Sequence, residues 1–435
     1  MENRNTEISA AKPYEDRPWF KIDNAATLYA AARRKDWTRT FRTAVVLDCE
    51  IDPVVLQKAL EDTAKRFPFF CVQLRDGLFW SYFERIDETP KIVPDTSYPY
   101  RPIDLGDNKK PCFRITYGKN RIALEGFHSM TDGSGANVLL STLVARYFEL
   151  KGLEFEYDEE LIRSPENLTP DYEGRDDYYT YGDPKKAPKN PPRVSVHIGE
   201  NNPLPGYASL IHGICRVEQL KTVAKKYSLT ITEYLTAVLI YTYFNTEEHD
   251  GKPISVSIPI DLRKRFKSRS LRNFCFMTDV SFDPGEKEEI SFIEICDSIR
   301  GKLGEKASTE NLFAAISANV SAASKPVIKV IPYFIKRIFL KGTYEKVQHT
   351  YTAFFSNLGE FSFPPEIAKH VLRVEACLGC TPYQHFGCAS ASVNGVFTFT
   401  FSSGNKDTEK QKFFFRFLSA DGVLLRIESN DRNRG

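Results

Sequence analysis

Residues 121–148, RIALEGFHSMTDGSGANVLLSTLVARYF, demand a strand, a tight polar turn and an amphipathic helix in direct succession. From Arg121 to Phe127, Ile122 and Leu124 alternate with smaller or polar residues, the period-2 pattern of a half-buried strand. Leu139, Leu140, Leu143, Val144, Tyr147 and Phe148 then recur at the spacing of one buried helical face. Asp132 or Ser134 can cap that helix, while Gly133 and Gly135 allow a sharp turn and a close approach to a ligand. His128 and Asp132 are thereby presented on a loop held from both sides, where catalytic groups tend to sit.

The spacing His-x3-Asp is weak by itself. Seven histidines give about 0.4 such pairs by chance, and requiring Gly next lowers this to about 0.02. None of the remaining histidines has an aspartate four residues on. Two readings remain on spacing alone. The pair caps backbone groups at a helix start, or His128 acts as a general base on a bound hydroxyl or amine. A zinc hydrolase would need a third ligand, and no HExxH is visible; a serine hydrolase would need G-x-S-x-G, which does not occur.

The chain's 435 residues suit two domains of about 200 residues each rather than one core. With 59 basic and 57 acidic residues the formal charge is +2, which gives no case for a nucleic-acid partner. No apolar run is long enough to span a bilayer, and the first 16 residues lack the apolar core of a signal peptide. Nine cysteines without such a peptide fit reduced thiols, so a cytoplasmic location is expected. Helices are expected at 53–67, 218–227, 231–244, 288–304, 308–323, 326–341 and 407–419. Strands are expected at 43–52, 207–217, 351–356, 369–376 and 423–428. Hairpins should turn at Asp76-Gly77, at residues 118–120 and at Asn394-Gly395. Residues 161–205, rich in Pro, Asp, Lys and Tyr, read as a surface crossover between domains at 1–160 and 206–435. Mixed strands and helices in each half argue an α/β (α+β) architecture.

HSMTDG, between its strand and its helix, resembles the HxxxDG motif of the chloramphenicol-acetyltransferase-like superfamily. RPWFKIDNAATLYAAA (17–32) and RDGLFWSYFE (75–84) resemble bacterial alcohol acetyltransferases. SIPIDLRKRF (257–266) with RNF (272–274) resembles the second-domain P-x-D-x-R … N segment, and FFSNLG (354–359) the late SNxG strand. The DFGWG motif of plant members is absent, which disfavours that branch.

The resemblance implies two sandwiches of related fold, each a mixed sheet with packed helices, and a tunnel at their interface. It implies acyl transfer from acyl-CoA, a co-substrate and not a bound cofactor, by direct attack of an alcohol or amine with His128 as general base. Asp132 would point away from substrate and pair with Arg263, shaping the loop that Gly133 follows. Ser356 and Asn357, and more weakly Asn273, would lie near the oxyanion or substrate. Small-molecule donor and acceptor are the expected partners, and a monomer the expected state. Two alternatives stand beside this: a catalytically silent binding protein of the same fold, and a condensation-type enzyme fed by a carrier-protein thioester.

Two further patterns call for weighing. Cys377, Cys380, His385 and Cys388 have the spacing of a zinc knuckle, but a domain of this size needs no metal to fold, so small buried thiols and no metal are expected. Residues 325–344 are apolar and basic. A helix with one core face and lysine stems reaching water is favoured there over membrane contact.

Overall fold

The computed structural model describes residues 17–34, 39–96, 99–106, 109–187, 208–380 and 386–430. The N-terminal half runs β1 (Trp19–Lys21), α1 (Asn24–Ala32), β2 (Thr40–Leu47), α2 (Pro53–Arg66), β3 (Val72–Asp76), β4 (Ser81–Arg85), β5 (Val93–Pro94), β6 (Phe113–Tyr117), β7 (Arg121–Phe127) and α3 (Gly133–Leu150). A short α4 (Asp177–Tyr181) lies in the crossover. Beyond it come β8 (Ser209–Arg216), α5 (Val217–Lys226), α6 (Ile231–Thr246), β9 (Ile254–Asp261), α7 (Arg263–Phe266) and β10 (Cys275–Phe282). Five helices follow: α8 (Phe292–Ile299), α9 (Lys302–Lys306), α10 (Thr309–Ser324), α11 (Pro326–Val330) and α12 (Tyr333–Gln348). The chain closes with β11 (Ala353–Glu360), α13 (Pro365–Ala368), β12 (Val371–Leu378), β13 (Phe386–Val393), β14 (Val396–Ser403), α14 (Glu409–Ala420) and β15 (Arg426–Ser429).

Three sheets result: β1-β4-β3, the five-stranded β12-β2-β7-β6-β5, and the seven-stranded β10-β9-β11-β13-β14-β8-β15. The two large sheets are mixed, because β11 runs parallel to β9 and β13, and β5 parallel to β6, among antiparallel neighbours. Strand β12, from the C-terminal half of the chain, pairs with β2 and so completes the N-terminal sheet. Two large apolar cores match this layering. β13 separates them: Ala389, Ala391 and Val393 face the first core, Phe386 and Cys388 the second. Its small residues, alternating in direction, suit a strand buried on both faces.

Most expected elements are present, with instructive shifts. The expected helix over 288–304 is broken at Gly301, whose φ of +74° ends one helical run before the next begins. The helix over 326–341 is likewise two pieces, because Pro332 cannot donate into a continuous ladder. The hairpin expected at Asp76-Gly77 turns over residues 77–80. α1 escapes the periodicity argument because its alanine-rich sequence has little contrast between faces.

The favoured reading of 325–344 is corrected. The inward positions of α12 hold Tyr333, Arg337, Tyr344 and Gln348, while Phe334, Ile338 and Phe339 face solvent. The crossover is also more than a surface wrap. Glu173 is fully buried and accepts from Arg66 Nη1 (2.7 Å) and Arg163 Nε (2.6 Å), an ion triad that anchors the segment. Tyr178 and Tyr181 of α4 pack on Phe274.

Among the described residues, no helix is long and apolar enough to cross a membrane. None of the described His, Cys, Asp and Glu residues form a group able to hold a metal ion. His385 of the cysteine cluster lies outside the described residues, while Cys377 and Cys388 are buried on different sheets. Burial pushes the Cys377 thiol up to about 12, with the Glu375 carboxylate adding to the effect.

Candidate active site

The loop between β7 and α3 is built from its aspartate outward. Asp132 is the N-cap of α3, and its Oδ1 accepts from the Gly135 amide at 3.1 Å. The same carboxylate takes both guanidinium nitrogens of Arg263 at 3.0 Å, and the Phe274 amide donates to Oδ2 at 2.8 Å. All four contacts are donors, so the carboxylate is saturated without touching an imidazole. Arg263 is equally committed, to the carbonyls of Ser270 (2.7 Å) and Arg272 (2.5 Å) and to Asp261 (3.0 Å). The pair clamps the loop of one half onto β9, α7 and β10 of the other.

Close approach explains the glycines. A Cβ on Gly135 would lie 2.1 Å from Thr131 Oγ1 and 2.2 Å from the Leu271 carbonyl oxygen. Thr131 donates to that same carbonyl at 2.6 Å, and the Leu271 amide reaches Glu173 O at 2.7 Å. Loop, residues 271–274 and crossover therefore form one hydrogen-bonded unit. A Cβ on Gly133 would meet only the tip of the Leu358 side chain, at 2.6 Å.

His128 begins where β7 ends, its amide donating to Arg39 O at 2.8 Å. Its Nδ1 lies 3.2 Å from Asn273 Oδ1. The orientation of that amide follows from its other side, where Nδ2 donates to Asp23 Oδ2 (3.1 Å) and Ser129 O (3.3 Å). Asn273 Oδ1 is then an acceptor, Nδ1 carries the proton, and Nε2 keeps its lone pair. Burial lowers the His128 pKa below its ordinary value, and the Arg39 guanidinium lowers it further against the opposing pull of Asp132 and Asn273. The imidazole is neutral at pH 7. Tyr29 lies against it with ring centroids 4.4 Å apart, and Phe41 meets it edge-on at 5.3 Å.

A cavity of about 280 Å³ opens between the two large sheets. Tyr29, Arg39, Phe41, His128, Gly133 and Ser134 line it from the N-terminal half. Pro259, Asp261, Cys275, Met277, Ser356 and Asn357 line it from the other. Asn357 is partly committed, with Nδ2 donating to Thr232 Oγ1 and Oδ1 accepting from the Gly359 amide, both at 3.0 Å. Asn273, expected near an oxyanion, is fully buried beside His128, with its donors engaged by Asp23 and Ser129 and its Oδ1 facing the imidazole.

Three further residues belong to the site. Asp23 caps α1 and holds Asn273 through its side chain and, at 3.4 Å, its amide. Arg39 stacks over Tyr29 (5.6 Å) and Tyr344 (4.4 Å), and burial pushes its pKa down to about 10, still protonated at pH 7. Tyr29 forms the cavity wall beside them. Asp23 and Tyr29 fall inside the stretch 17–32 noted for its resemblance, which was the available signal.

No protein-family model and no curated protein sequence matches the chain. Solved structures do. Fusarium sporotrichioides TRI101, crystallised with coenzyme A and T-2, superposes with a TM-score of 0.61 at 10% identity, over 95% of this chain and 100% of that one. TRI3 trichothecene 15-O-acetyltransferase from the same organism gives 0.57 at 12% identity, over 92% of this chain and 94% of that one. The first condensation domain of the CDA synthetase gives 0.56 at 12% identity, over 94% and 99%. The likeness is one of fold, and it runs through nearly the full length of each pair.

Proposed function

We propose that this chain, which has the two-domain chloramphenicol-acetyltransferase-like fold, is an acyltransferase that moves an acyl group from acyl-CoA to the hydroxyl or amine of a small molecule. Its domains are taken as residues 1–160 and 206–435, joined by 161–205. The observation that carries the reading is His128 at the cavity wall. It is neutral, and its Nδ1 is held by Asn273 so that Nε2 is the basic nitrogen. Such a base takes the acceptor's proton as its oxygen or nitrogen attacks the thioester carbonyl; the tetrahedral intermediate then breaks its C–S bond, and the imidazolium returns the proton to the departing coenzyme A thiolate. The developing oxyanion needs donors or positive charge in a site that excludes water. The Ser356 hydroxyl and the Arg39 guanidinium line the same cavity and supply those two kinds of group. Asp132 and Gly133 shape the loop, and Arg263 locks it. Acyl-CoA enters as a co-substrate, in keeping with the coenzyme A bound to the TRI101 neighbour.

The test is release of free thiol across a panel of acyl-CoA donors and alcohol or amine acceptors. Direct attack predicts release only when donor and acceptor are both present. A stoichiometric burst without acceptor would overturn direct attack, and release from carrier-protein thioesters alone would replace the donor.

A further inference from the structure

A second surface stands apart from the cavity chemistry. Val327, Val330, Phe334, Ile338 and Phe339, on α11 and α12, are 68% to 71% exposed. They are not a failed core face, since the opposite side of α12 is the one buried against the protein, with Tyr333, Tyr344 and Gln348. Arg337 donates to the carbonyls of Ala31 and Arg33 at 3.2 Å each, and Tyr344 lies under Arg39. The apolar surface extends past the helix, because the Tyr333 amide bonds Leu78 O at 2.8 Å. That contact sets the β3–β4 turn, with Leu78 and Trp80 70% and 56% exposed, beside the start of α12.

Charge identifies the occupant. Over residues 325–347, Lys325, Lys329, Lys336, Lys341 and Lys346 stand against the single acid Glu345, in a chain whose total charge is only +2. Bulky apolar and aromatic side chains standing exposed on a helix flank and a hairpin turn, with lysines along the same segment, fit the headgroup boundary of a bilayer. The apolar groups enter the acyl region there and the ammonium groups meet anionic lipid. We propose that α11, α12 and the β3–β4 turn form a surface that docks reversibly on anionic membranes. The helix whose inner face backs the cavity wall would thus lie against lipid.

Flotation of the full chain with vesicles tests this. The protein should float with phosphatidylcholine vesicles containing phosphatidylglycerol, float less with phosphatidylcholine alone, and be released by salt. Phe334→Ser with Phe339→Ser should weaken binding roughly tenfold or more, since each ring forfeits its burial in lipid. These side chains touch water in the free protein, so the melting temperature should hold. Should that pair misfold, Lys325→Gln, Lys329→Gln and Lys341→Gln together should lower anionic binding without changing stability. A wild-type protein that stays with the buffer in both vesicle preparations would overturn the proposal. So would folded variants that bind as the wild type does. Self-association without vesicles, abolished by the phenylalanine substitutions, would assign the surface to a second copy instead.

Discussion

Asp132→Asn probes how the two halves of the site are held together. The substitution keeps the side chain's shape and removes its charge. The carboxylate accepts four N–H groups, two from Arg263 and one each from Gly135 and Phe274. An amide has one accepting oxygen, so two of those donors would face an NH2 group. The side chains are 4% and 11% exposed, which places the pair among buried ion pairs, where loss of one partner costs about 3–5 kcal/mol. Slight access of water to Arg263 favours the lower end, about 3 kcal/mol. Arg263→Gln should cost somewhat less, about 2–3 kcal/mol, because Asp132 keeps both amide donors. In the double variant the lost pair is counted once, so a coupling on the order of 1–3 kcal/mol is expected. Urea unfolding of the wild type, both single variants and the double variant gives that coupling as a difference of midpoints at constant slope. Additivity within about 0.5 kcal/mol would refute the clamp.

Three other outcomes follow from the same geometry. Asn273→Ala removes the acceptor that fixes the His128 tautomer, and turnover should fall roughly 10- to 100-fold with little change in KM; an unchanged kcat would contradict the positioning role. The working form of His128 is neutral and its pKa is depressed below 6.5, so the acid limb of kcat/KM should have its midpoint below that value. Stability follows the same sign. The unfolded chain takes the proton first, so the contribution of neutral His128 is present above about 6.5 and is lost as pH falls through the interval below it. An acid limb centred above 6.5 would contradict the environment described. Gly135→Ala sets a methyl against the Leu271 carbonyl and should destabilise the protein by about 1–3 kcal/mol or more in urea titration; a neutral effect would mean the loop yields.

The sequence carried β7, its turn and α3 because their hydrophobic periods differ and Asp132 caps the helix. It carried the Asn394-Gly395 hairpin because both residues adopt positive φ, 51° and 71°, as that turn requires. The meeting of Asp132 with Arg263 came from resemblance alone, since no local pattern encodes a contact across 131 residues. Asn273 shows the same limit in reverse. Its motif was visible, but its role depends on Asp23, 250 residues away, which turns the amide oxygen toward the imidazole. Arg39 sits in no recognisable pattern, just ahead of β2, and its neighbour Tyr344 arrives from α12. In α12, amphipathicity marked two faces without telling which one meets the protein. On the inner face Arg337 donates to two carbonyls and Tyr344 lies under Arg39, leaving the apolar residues outside.

The central claim is that His128 Nε2 removes the acceptor's proton. Its most direct test is the turnover of His128→Ala with any donor and acceptor pair the wild type accepts, alongside urea unfolding of both proteins. Loss of a general base predicts a fall of about 10²- to 10⁴-fold in kcat. The unfolding midpoint should stay near that of the wild type, because Asp132 and Arg263 hold the loop independently. Wild-type turnover in the folded variant would contradict the account.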